Sequence, residues 1–418
     1  MTDLERELLD AIERDRDALV TFFQDFLRAK SPNPPGDTRP AADVLTSWLD
    51  ERGAPHRIEA AEPHMPNVVG SVAMGAPGPH LVLNGHIDVF APIDDATAWT
   101  GELRDGRIYA RGASDMKCGT AASAIAYAML SGRRDRLAGR LTLTCVSDEE
   151  TGGRWGTHWL MENFPDEVLG DCCLNGEPSG LNNVRFLEKG TLRLTVTTRT
   201  DGGHGGYPHL SANAIVQACE VITGIRALNG REPELPEAVA RALLSPEGVA
   251  GTEAGMGEGA AKVVRSVTVN VGTIRGGLKI NQIPHECVCE VEVRYPWGFS
   301  HEEMLAHVEE VVGRVPGATF ALDANHSYPP SLADPDHAMM TILGDVVEEL
   351  GHPRPIPLSS LGGSDSRYWR WRSIPAFLYG PSPVTMGRRD EHVTVDEFLH
   401  VTRTHCLAAA RYLAPAGN

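Results

Sequence analysis

His86, Asp88, Asp115, the pair Glu149–Glu150, Glu177 and His392 are the residues whose types could do chemistry together. Carboxylates and imidazoles are the donors that hard and borderline divalent cations take. Two adjacent cations want one shared carboxylate and about two further donors each, as in a two-metal hydrolase. Taken singly, the segments say little. A His-x-Asp is more often a surface pair or a helix cap, Asp-Glu-Glu a solvated acidic patch, and Glu-Pro-Ser a loop. Most of them share a position, at the end of a strand-like run, and that is what joins them.

The elements that must hold these residues can be read from periodicity. HLVLNGHIDV at 80–89, LTLTCVSDEE at 141–150 and DCCLNGEPS at 171–179 each read as a buried strand with polar residues gathered at its end. DMKCGTAASAIAYAML opens a small-residue helix after Asp115. Strands alternating with helices predict an α/β unit with a mixed, mainly parallel sheet flanked by helices. Ligands of such sheets bind beyond the carboxyl ends of the strands. Residues from about 3 to 30 read as one amphipathic helix, stopped by the prolines of SPNPPGD at 31–37. A second helix is predicted over 40–53, closed by Gly53.

The pattern changes near 188. GTLRLTVTTRTD alternates apolar and polar residues, a helix follows at about 211–228, and two further alternating strands and a helix from 301 complete a β-α-β-β-α order. The stretch 229–261, rich in Gly, Pro, Glu and Ala, reads as an irregular excursion. The expected organisation is a catalytic domain from 1–185 and 300–418, with an inserted α+β unit at 186–299.

Composition bounds the function. A chain of 418 residues suits two domains. A formal net charge of −18 argues against a nucleic-acid binder, which needs a basic face. No apolar run reaches the ~18 residues of a membrane span, so no membrane association is expected. The first residues lack the basic start and apolar centre of a secretory signal. The eight cysteines are scattered without a C-x-x-C pair and read as reduced thiols of a cytoplasmic protein.

GHIDV, GASDMKCGTAA, SDEETGG, NGEPS, HGGYPHLSANAI, GGLKINQIP, VEVRYP, GGSDSR and EHVTVDE follow one another along the chain. In that order they resemble the co-catalytic metallopeptidase family of acetylornithine deacetylase, succinyl-diaminopimelate desuccinylase, aminoacylase and glutamate carboxypeptidase. The resemblance covers roughly residues 65 to 400. It implies one or two divalent ions, zinc before cobalt or manganese. Asp115 would bridge them, His86 and Glu177 would complete one site, and Glu150 and His392 the other. Asp88 would hold the outer nitrogen of His86. Glu149 would be the general base, taking a proton from the attacking water and giving it to the leaving nitrogen. Glu150 cannot share that role if it binds metal, because successive strand residues point to opposite sides, but the end of a strand relaxes this rule and leaves a swap of the two roles open.

The resemblance also implies that His204 stabilises the oxyanion, in its own or, as is frequent in the family, a neighbouring subunit's site. Asn281 and Arg294 would hold a substrate carboxylate. Gly362 and Gly363 would let backbone N–H groups approach the ligand. The insert would be a lid and the surface of a homodimer. Departures from the family pattern are Cys118 where glycine is common, Ser147 where threonine is frequent, and glycines in HGGYPH where many relatives have serine. Cys118 reads as a small packing residue.

The expected function is metal-dependent hydrolysis of an amide C–N bond in a small, carboxylate-bearing substrate, such as an N-acyl amino acid or small peptide. A competing reading keeps the machinery and changes the bond to a carbamoyl, amidine or aromatic amine C–N bond, as in a nitroanthranilate-type substrate. An aromatic-lined pocket or a one-metal site would favour it. A third reading, a metal-retaining binding protein without catalysis, is opposed by the intact Glu149 and ligand set.

Overall fold

The computed structural model describes residues 1–415. Its main sheet is mixed, with a parallel centre. The strand Ala76–His86 lies between Ala138–Val146 and Cys172–Asn175, parallel to both, and Ala376–Leu378 runs parallel to Cys172–Asn175. Asn67–Ala73 and Arg57–Glu59 extend one side antiparallel. Asn183–Glu188 and its partners close the other. The central strands are buried on both faces because both are covered. On one face lie the helices Cys118–Ser131, Ala338–Glu349 and Val395–Tyr412 with the N-terminal helices. On the other, Leu160, Met161 and Trp369 pack over Val82 and Val146.

The helix Cys118–Ser131 is buried along nearly its whole length. Its small residues let it press onto the sheet. At Gly119 a Cβ would stand 1.9 Å from the carbonyl oxygen of Gly176, so only glycine permits that approach. Cys118 is fully buried in the main core, where burial pushes its thiol up, as a packing residue. Among the described residues no cysteine is paired, and no helix is long and apolar enough to cross a membrane.

A second, antiparallel sheet has the order Thr268–Gly276, Glu286–Tyr295, Gly190–Arg199, Ala318–Leu322. The helices Ala214–Arg226 and His301–Gly313 cover one face, with Val221, Ile225, Met304 and Val308 in the shared core. The expected limits of 186–299 differ from this arrangement at both ends. Asn183–Glu188 still belongs to the main sheet, whereas His301–Gly313 and Ala318–Leu322 belong to the second. The apolar face of that helix has its partner on the second sheet, and Phe320 and Leu322 pack there too.

Three local expectations also change. Residues 3–28 form two helices, Asp3–Arg14 and Arg16–Arg28, because Asp15 leaves helical geometry (ψ 10°) and caps the first. The excursion after 229 is helical over Glu237–Leu244 and Pro246–Met256, and its Val239 and Leu243 are buried in the main core. Glu149–Thr151 is a helical turn entered through Asp148 at φ 77°, so strand alternation does not govern Glu149 and Glu150.

Candidate metal centre

Three parallel strands end at one edge of the main sheet, and each delivers a donor. His86 is the last residue of Ala76–His86, Glu177 follows Cys172–Asn175, and the Glu149–Thr151 turn follows Ala138–Val146. Asp115 arrives from the turn that opens helix Cys118–Ser131, after Gly112 at φ 84°. Buried amides tie the strand ends together. Asn84 Nδ2 donates to Thr144 Oγ1 (3.0 Å), Asn175 Nδ2 to Asn84 Oδ1 (2.6 Å), and the Glu177 N–H to Asn175 Oδ1 (2.8 Å).

His86 is fully enclosed. Its Nδ1 lies 2.8 Å from the Asp88 backbone carbonyl, which fixes Nδ1 as the donor. Nε2 then faces Asp115 Oδ1 at 3.3 Å, Glu177 Oε1 at 3.4 Å and Glu149 Oε2 at 4.0 Å. It is buried with no hydrogen-bond partner. His86, Asp115 and Glu177 offer donor atoms that all lie within 4.8 Å of one another. Burial opposes a charge on His86, yet Asp115, Asp88 and Glu177 outweigh it and raise the imidazole well above its ordinary value. Burial, aided by Asp115, pushes Glu177 up to about 7. Burial also raises Glu149 and Glu150, with Glu177 and Asp115 respectively as the foremost acidic neighbours. Enclosed carboxylates around an imidazole with a bare nitrogen are a donor set that a divalent cation fits.

The Asp88 carboxylate does more than the expected task. It is 3.4 Å from His86 Nδ1, farther than the carbonyl of the same residue. Its oxygens accept the backbone N–H groups of Glu149 (3.3 Å) and Glu150 (3.1 Å) and the side-chain amide of Asn33 (2.9 Å). Asn33 also donates to Thr151 Oγ1 at 3.1 Å. The segment that reads only as a helix stop therefore reaches the centre.

Arg367 is a further residue the motifs did not single out. Its Nη1 lies 3.5 Å from Glu149 Oε1, Nη2 donates to the Gly152 carbonyl at 2.9 Å, and the guanidinium sits against the rings of Tyr328 and Tyr368. Glu391 is another. Its buried carboxylate accepts the N–H groups of Ser114 (3.0 Å) and Asp115 (3.1 Å) and pairs with Arg111. Both stand inside or beside segments quoted above, GGSDSR and EHVTVDE, and that was the only signal.

The other expected site residues come from later elements. His392 lies on the strand His392–Thr394; its Nδ1 is 2.7 Å from the Asp390 carbonyl and its ring packs on Tyr109. His204 and Asn281 are neighbours on an exposed two-stranded ribbon of the second unit, where Gly205 N–H donates to the Asn281 carbonyl (2.8 Å). Arg294 is already held by a carboxylate: Nε and Nη2 donate to Glu292 at 2.8 and 3.0 Å, and Nη1 to the Leu361 carbonyl at 2.8 Å. That contact brings it to the Gly362–Gly363 loop, where a Cβ on Gly362 would stand 3.8 Å from Nη1. At Gly363 the close neighbour is the Tyr328 hydroxyl, 2.5 Å from a Cβ.

Fold and site together define a metallo-hydrolase: a parallel-centred sheet gathers an imidazole and carboxylates at its strand ends, and a second sheet is inserted. Residues 82–411 match peptidase family M20/M25/M40, and the chain belongs to that family. It is 28% identical over 411 residues to a succinyl-diaminopimelate desuccinylase of Rhodospirillum centenum, covering 95% of this chain and 98% of that one. It is 31% identical over 326 residues to the desuccinylase of Cereibacter sphaeroides, covering 75% and 78%. In fold it is similar to an M20 family metallo-carboxypeptidase from Sulfolobus solfataricus, with a TM-score of 0.75, 16% identity and 99% of each chain covered.

Proposed function

We propose that the chain hydrolyses an amide C–N bond in a small substrate carrying a carboxylate, an N-acyl amino acid or a small peptide. The observation that carries this reading is the bare Nε2 of His86, set among Asp115, Glu177 and Glu149. His86, Asp115 and Glu177 would hold the cation. When bound, a cation there polarises the scissile carbonyl and acidifies water. Glu149 is the base: its carboxylate removes the proton of the attacking water and returns it to the departing nitrogen. Arg367 sets one oxygen of Glu149, leaving Oε2 turned toward His86. Arg294 uses one direction on each guanidinium nitrogen within the protein. The second N–H of Nη1 and of Nη2 is available for a substrate carboxylate.

His204 and Asn281 serve a second copy of the chain. Both sit on an exposed ribbon flanked by Leu210, Leu278 and Ile280, and Leu278 is 81% exposed. An apolar rim of that kind marks a protein interface, here a homodimer through the second unit. Sedimentation as a monomer at micromolar concentration would remove His204 from the mechanism.

The test of the main reading is a screen of acyl amino acids, dipeptides and aminoaromatic acids after loading with zinc, manganese or cobalt, read by mass spectrometry. Expected is release of an amine and a carboxylic acid, abolished by His86→Ala. Equal cleavage of amides lacking a carboxylate sinks the substrate assignment.

One observation favours a second reading. A cavity of about 430 Å³ between the two units is lined by Trp155, Trp159, Tyr368, His158 and Arg154, beside Thr151 and Gly152. An aromatic wall with one cation suits an aminoaromatic acid, whose aryl C–N bond the same groups would hydrolyse. The aminoaromatic arm of the screen decides between the two.

A further inference from the structure

We infer that residues 231–266 form a strap, rooted in the second unit and anchored in the core of the catalytic unit, which holds the two units at one relative angle. The inference stands whatever bond the chain hydrolyses.

Two connectors join the units, and they lie side by side. Lys189 stands between the strand Asn183–Glu188 of the main sheet and Gly190–Arg199 of the second. The return runs from Ala318–Leu322 to Ser331–Leu332. Thr191 and Tyr328 exchange both backbone hydrogen bonds, at 2.9 Å each, and so tie the connectors together. Two adjacent extended segments make a narrow joint, and units so joined turn about it unless something else holds them.

The strap supplies that hold. After the helix Ala214–Arg226 the chain leaves the second unit before it enters the strand Thr268–Gly276. Its exit and return are zipped: Gly230 N–H donates to the Val267 carbonyl and Val267 N–H to the Arg231 carbonyl, both at 2.8 Å. Leu228 and Val267, at this root, are buried in the second core. Val239 and Leu243, one turn apart on the helix Glu237–Leu244, are buried in the main core instead. The helix Pro246–Met256 lies against Ile356–Ser360, where a Cβ on Gly251 would stand 2.7 Å from Ile356 Cδ1. Arg241 adds an ion pair to Asp336 of the catalytic unit. A segment with both ends in one unit and its apolar stripe in the other cannot follow the first without exposing that stripe to water.

The return leg is also pinned at the joint. Lys189 is 1% exposed, and its Nζ donates to the carbonyls of Val263 (2.9 Å) and Ser266 (2.7 Å). A buried ammonium needs such acceptors, so the strap and the connector keep each other in place. Arg294 of the second sheet meets the Leu361 carbonyl of the catalytic unit at 2.8 Å. The angle that the strap holds is the one at which this contact exists.

The experiment measures the distance between the units in the full chain. Exposed Cys219 is replaced by serine, and spin labels are attached at Asp43→Cys in the helix Arg39–Glu51 and at Glu309→Cys in His301–Gly313, both exposed positions. Pulsed dipolar spectroscopy should give one narrow distance distribution. Val239→Asn combined with Leu243→Asn should broaden it and add a second population at another distance. A broad distribution with the strap unaltered, or the same narrow one in the double variant, overturns the inference. Should the double variant fail to fold, hydrogen exchange of the unaltered protein decides. Glu237–Leu244 and Pro246–Met256 should stay protected as long as Ala338–Glu349 of the catalytic unit. Exchange of the strap helices well ahead of that helix overturns it equally.

Discussion

The Asp88 carboxylate accepts the backbone N–H of Glu150 at 3.1 Å, so the residue beside a candidate ligand also shapes the turn that carries the candidate base. The same carboxylate takes the N–H of Glu149 and the amide of Asn33. It joins three stretches of chain at one buried anion. Burial works against that charge, but His86, Asn33 and the Glu150 N–H hold Asp88 below its ordinary value.

Asp88→Asn replaces an acceptor by an amide whose N–H₂ must face other donors. Metal affinity should fall about 10–100-fold, and hydrolysis with it, as for other supports of a ligand histidine. Competition with a chromogenic chelator measures the first. An unchanged affinity would mean that the turn holds itself.

Glu149→Gln keeps shape and removes the base. Turnover should fall by about 10²–10⁴ while bound metal per chain stays the same. Elemental analysis of the same preparation used for kinetics separates the two. Retained turnover would move the base to another group.

Gly119→Ala sets a Cβ against the backbone of Gly176, one residue before Glu177. The helix and the strand end must part, at a cost of about 1–3 kcal/mol or more. Urea unfolding reads the loss, and metal titration should show weaker binding because Glu177 moves. A variant as stable as the parent would deny that this contact is tight.

His405 gives a pH dependence unconnected with the metal. Its Nε2 donates to the Tyr379 carbonyl (2.8 Å), and in the neutral ring Nδ1 accepts from the Ser123 hydroxyl (3.1 Å). Burial lowers it to about 4. The unfolded chain takes up the proton below about 6.5 while the folded chain does not until about 4, so stability falls as pH drops through that window. Between pH 7 and pH 5 the loss from this group is about 2 kcal/mol. Denaturant unfolding at the two values should show it, and His405→Gln should show a smaller drop. An equal drop in the variant would assign the effect to other groups.

Most of the centre could be read before any fold was known. His86, Glu149 and Glu177 follow apolar runs, and a run that reads as a buried strand with acids at its end delivers those acids to a sheet edge. Periodicity also separated the two units in outline. It misplaced their boundary because the helix His301–Gly313 has an apolar face that fits either sheet, and only packing chooses. The excursion after 229 looked irregular because Gly and Pro punctuate it, yet Val239 and Leu243 find the main core and its segments become helical.

The sequence alone determined which side chains could act as donors, and that strand order would bring His86 and Glu177 to one edge. Tertiary structure decided who stands next to whom across long stretches of chain: Asn33 on Asp88, Glu391 on the Asp115 N–H, Arg367 on Glu149. Neighbouring residues on a strand differ by half a turn in direction, and spacing does not say which of the two faces the centre. That choice belongs to register and packing, which are set by contacts far away in the chain.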